Sequence, residues 1–95
     1  MAWFRIPFAE NAFRRFLKER GLTLETLSVE EGIAAMTAFH VEHRAQHTVG
    51  GEDTLQVTRS RDTATVVRRM TRSDQTLSRT LTLTIDAAGA RMSFS

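Results

Sequence analysis

Residues 75–86 read QTLSRTLTLTID, with Leu77, Leu81, Leu83 and Ile85 on one parity and Ser78, Thr80, Thr82 and Thr84 on the other. Strict alternation over a Thr- and Ile-rich run is the pattern of a half-buried β-strand, one face on a core and the other in water. The segments around it must therefore supply an apolar layer to cover the leucine row.

At 95 residues, 41% apolar and one quarter charged, the chain falls in the range of one globular domain, residues 1–95, with a single core. There is no cysteine, so a disulfide framework, a thiolate metal site and a thiol nucleophile are all excluded. No run approaches the roughly 20 apolar residues of a membrane span, and residues 1–8 lack a signal-length apolar stretch, so a cytoplasmic protein without a membrane partner is expected.

Residues 1–8 concentrate Trp3, Phe4, Ile6 and Phe8, which read as a short extra strand or an apolar arm under the first helix, with an exposed docking anchor as the functional alternative. Pro7 suits a first helical turn, and AENAFRRFLKER over residues 9–20 places Ala9, Phe13, Phe16 and Leu17 on one stripe before Gly21. After a connector over residues 22–27, Ser28 and Glu31 form a capping box that opens a second helix. Val29, Ile33 and Met36 share its inner face, while Gly32 either costs about 1 kcal/mol against Ala or permits close packing. The helix is expected to reach about residue 47, before Gly50-Gly51. A strand over residues 39–47 is the alternative, because Phe39 and Val41 alternate with His40 and Glu42.

Beyond Gly51 the chain turns to short Thr-rich segments, expected as antiparallel strands at residues 54–60, 63–72, 76–86 and 91–95. Turns fall at Arg61-Asp62, Ser73-Asp74-Gln75 and Ala87-Ala88-Gly89, and Glu52-Asp53 reads as a solvated turn. The fold expected is α+β, two N-terminal helices on one face of a four-stranded antiparallel meander, in the order ααββββ. Leu55, Val57, Ala64, Val66, Met70, the leucine row, Met92 and Phe94 make the inner face. Arg68 and Arg79 share that parity, so they are expected at its margins, snorkelling, or turned outward by a bulge.

Charge divides unevenly. Residues 1–53 hold six basic and eight acidic side chains, whereas residues 54–95 hold seven arginines against three acids. A basic sheet suits an acidic partner, and the candidate binding residues are Arg59, Arg61, Arg69, Arg72 and Arg91, with Trp3 as a docking anchor. A polar face without aromatics lacks the stacking platform of single-strand binders, which weighs against nucleic acid and leaves it as the alternative partner.

HVEHRAQH at residues 40–47 is the one cluster of metal-capable side chains. On a helix His40, His43 and His47 fall near one stripe, yet Arg44 follows His43 where the zincin motif needs a glutamate, so no metal is expected and these three histidines are only weak candidates. No Gly-x-Ser-x-Gly elbow and no phosphate-binding loop is present, so neither catalysis nor a cofactor is expected. The expectation for function is a small non-catalytic protein-interaction module of adaptor, inhibitor or immunity type. It would bind a protein partner or its own copy through the arginine-bearing sheet or the C-terminal edge strand.

Overall fold

The structure, a computed structural model, describes residues 10–47, 51–71 and 78–95, with side chains described to His43 in the first stretch. Helix α1 (Glu10–Lys18), a 3-10 turn (Leu24–Thr26) and helix α2 (Val29–His47) precede strands β1 (Glu52–Arg59), β2 (Ala64–Thr71), β3 (Ser78–Asp86) and β4 (Gly89–Phe94). The strands pair antiparallel in the order β1-β2-β3-β4, giving the expected α+β fold, ααββββ. The arm at residues 1–8, with Trp3, and the turn at Ser73-Asp74-Gln75 lie outside the described residues. Among the described residues no helix is long and apolar enough to cross a membrane.

Local chemistry sets the helix ends. Gly21 adopts φ 74°, which an L side chain resists, and the amides of Gly21 and Leu22 donate to the carbonyls of Lys18 and Leu17 at 3.1 and 2.9 Å. That is a Schellman stop, turning the chain so that Leu22 packs back on the core. At the start of α2 the Glu31 amide donates to Ser28 Oγ at 3.1 Å, while Glu31 Oε1 accepts from the Ser28 amide at 3.0 Å. Two amides that the helix itself leaves unpaired are thereby satisfied. Residues 39–47 continue as helix, settling the alternative strand reading against itself.

α2 crosses β1, β2 and β3, while α1 and the 3-10 turn rest against β4. Phe13, Phe16 and Leu17 of α1 and Ala35, Met36 and Phe39 of α2 meet Val66, Met70, Leu81, Leu83, Ile85 and Ala90 of the sheet. Gly32 serves close packing: a Cβ there would overlap Ile85 Cδ1 and lie 3.2 Å from Leu83 Cδ2, so the helix backbone itself rests on β3.

Three sequence expectations are corrected here. β4 begins at Gly89 instead of Arg91, because Ala87-Ala88 closes a two-residue turn with Asp86 paired to Gly89, which brings Ala90 into the core. Glu52 and Asp53 are not in a turn but open β1. Arg68, expected at the margin or bulged outward, is fully buried at the middle of β2 in a register that runs unbroken from Glu52↔Thr71 to Arg59↔Ala64. Arg79, at the start of β3, is half-buried at the margin as its parity requires.

Candidate interaction surface

The backbone direction of β1 follows from the far side of the sheet. Thr80 and Ser95 exchange both amide-to-carbonyl bonds, at 2.8 and 2.9 Å, so even-numbered residues of β3 face β4 and odd-numbered ones face β2. Carried through the register, odd-numbered residues of β2 face β1 and even-numbered residues of β1 face β2. The Ser60 amide, donating to the Thr63 carbonyl at 3.0 Å, continues the same alternation into the hairpin. Asp53, Leu55, Val57 and Arg59 consequently direct their amides and carbonyls away from the sheet, along its outer edge.

One end of that edge is held by a buried ionic cluster. Arg68 Nε and Nη2 donate to the two carboxylate oxygens of Asp53 at 3.0 and 2.7 Å. His40 of α2 places Nε2 3.1 Å from Asp53 Oδ1 and 3.2 Å from the outward Asp53 carbonyl. Both neighbours are acceptors, so Nε2 carries the proton and donates. The side chains of Arg68 and Asp53 are 0 and 2% exposed, and the guanidinium carbon lies 5.6 Å from the centre of the Phe39 ring. Enclosing two charges costs desolvation free energy, which this bidentate geometry offsets while fixing the start of β1 against α2.

At the other end Arg59 forms an ion pair with Glu30 in the first turn of α2. Helix and strand thus run antiparallel and are tied at two points. Between the ties lies TLQVT, residues 54–58, without charge, proline or glycine. Leu55 is half-buried there, and Val57 is 42% exposed. Sheet edges are commonly protected by charge, proline or a covering element. On the opposite edge the 3-10 turn packs against β4, and the Glu25 carbonyl lies 3.6 Å from where a Cβ on Gly89 would stand.

The sheet face turned from the helices is ruled by hydroxyl rows. Thr58, Thr65, Thr84 and Arg91 align across the strands, as do Gln56, Val67, Thr82 and Ser93, and Thr54, Arg69, Thr80 and Ser95. The candidate arginines do not converge on this face. Arg69 is exposed on it, Arg61 is exposed in the β1–β2 turn, and Arg59 is tied to Glu30 on the helix side. Arg72, like Trp3, lies outside the described residues.

Arg91 is on the open face but donates to both carboxylate oxygens of Asp86, at 3.0 and 2.8 Å. That pairing, with the Ala88 amide donating to Asp86 Oδ1 at 2.9 Å, holds the Asp86 carboxyl down at about 2. A carboxyl lowered on folding stabilises the fold above its ordinary range and ceases to do so as pH falls through the folded value, here from about pH 4 to about pH 2. Arg91→Ala should return the Asp86 midpoint toward the ordinary aspartate range in a carboxyl-carbon NMR titration. A midpoint unmoved by the substitution would contradict the pairing.

The histidines diverge. His40 Nε2 is committed to Asp53, whereas His43 Nδ1 donates to the Phe39 carbonyl at 2.9 Å and its ring lies 4.7 Å from that of Phe39. The side chain of His47 lies outside the described residues, among which no three metal-capable side chains come together. Beside them Arg20 joins the helices, stacking 3.5 Å from the Phe16 ring centre and bonding Glu42 at 2.6 Å.

The sequence reading missed Asp53, Arg68 and His40 as a unit. A signal was present: Arg68 has inner-face parity on a central strand, which requires an acid of the same parity on a neighbouring strand. The chain matches no protein-family model, no curated protein and no solved structure with which it was compared.

Proposed function

We propose that this domain is a small non-catalytic protein-interaction module that binds through the outer edge of β1, flanked by the hydroxyl-rich open face of the sheet. The observation that carries the reading is the pair of outward backbone units at Leu55 and Val57, set in an uncharged stretch whose two ends are anchored to α2. An edge held straight and left uncharged is what strand addition by a partner uses, main-chain bonds giving affinity and alternate side chains giving selectivity. β1 is favoured over the C-terminal strand because the 3-10 turn packs against β4.

Two features favour a protein over nucleic acid. Arg59 and Arg91 are matched by Glu30 and Asp86, and the open face presents hydroxyls in place of a continuous cationic track. The non-catalytic reading is supported by the burial of Asp53, Arg68 and His40 beneath α2, where a substrate would not reach them. The reading is tested by tagged pull-down from native-host lysate, with and without nuclease, comparing the wild-type chain with Val57→Pro. Proline at 57 removes an outward amide and no bond between β1 and β2. A protein retained after nuclease by the wild type and lost by the variant is expected. Retention of nucleic acid alone, or of the same protein by both chains, would overturn the reading.

A further inference from the structure

No further inference is drawn: the strongest candidate, the outer edge of β1 between its two ties to α2, belongs to the site already described, and nothing in the structure shows what covers it, because Asp53 and Arg59 at its ends are paired within the chain.

Discussion

Asp53→Ala lowers the unfolding free energy by about 3–5 kcal/mol, the cost of withdrawing one member of a buried ion pair. The reason is the enclosure of Arg68, which is fully buried and donates two bonds to that carboxylate. A domain of this length holds on the order of 5–14 kcal/mol in total, so the variant should unfold at a far lower guanidinium concentration. Replacing both partners, Asp53→Leu with Arg68→Met, should recover most of the loss, because two apolar side chains of similar volume need no counter-charge. A cost below about 1 kcal/mol for Asp53→Ala would show that the pair does not hold β1. The single variant should also weaken binding at the β1 edge, since the same carboxylate anchors His40 and hence α2 over the start of the strand.

The second large effect is at Phe39, where truncation to alanine should cost about 3–5 kcal/mol. Its ring sits 5.3 Å from that of Phe13 and 5.2 Å from that of Phe16, both edge-on, and is itself fully buried. It joins α1 to α2 and also lies beside the Arg68 guanidinium, so the cavity would open between both helices and the ionic cluster. In calorimetry the loss should exceed about 12 °C in Tm, since each kcal/mol shifts a domain of this size by about 4–8 °C. Phe39→Leu should lie between the two. A shift of only a degree or two for Phe39→Ala would place the centre of the core elsewhere.

Much of this architecture could be read from residues close in sequence. The alternation of Leu81, Leu83 and Ile85 gave the central strand, Ser28 with Glu31 the start of α2, and Gly21 the end of α1, each through chemistry within a few residues. What escaped depends on register. Asp53 and Arg68 are 15 positions apart and become partners only once Leu55 is opposite Arg68, so Arg68 alone looked like a misfit on the inner face. His40 looked like a metal candidate because its neighbours in sequence are histidines, while its neighbour in space is Asp53.

The candidate site was legible in the same uneven way. The basic excess of the second half marked the arginines, but Glu30 sits 29 positions before Arg59, and only the fold reveals that it answers that charge. Asp86 and Arg91 flank a tight hairpin on the same face, but the pair went unread because the last strand was expected to begin only at Arg91. The candidate edge could not be assigned to β1 from composition, because it depends on strand order and on where the 3-10 turn packs.

If β1 is an anchored strand with an open outer edge, amide hydrogen exchange by NMR on dilute protein will show it residue by residue. Thr54, Gln56 and Thr58, whose amides face β2, should be protected, while Leu55 and Val57 between them should exchange at nearly the free rate. That alternation would establish the edge as open and the strand as held. Protection of Leu55 and Val57 equal to their neighbours at high dilution would mean the chain covers its own edge, and the account of β1 as a binding strand would be wrong.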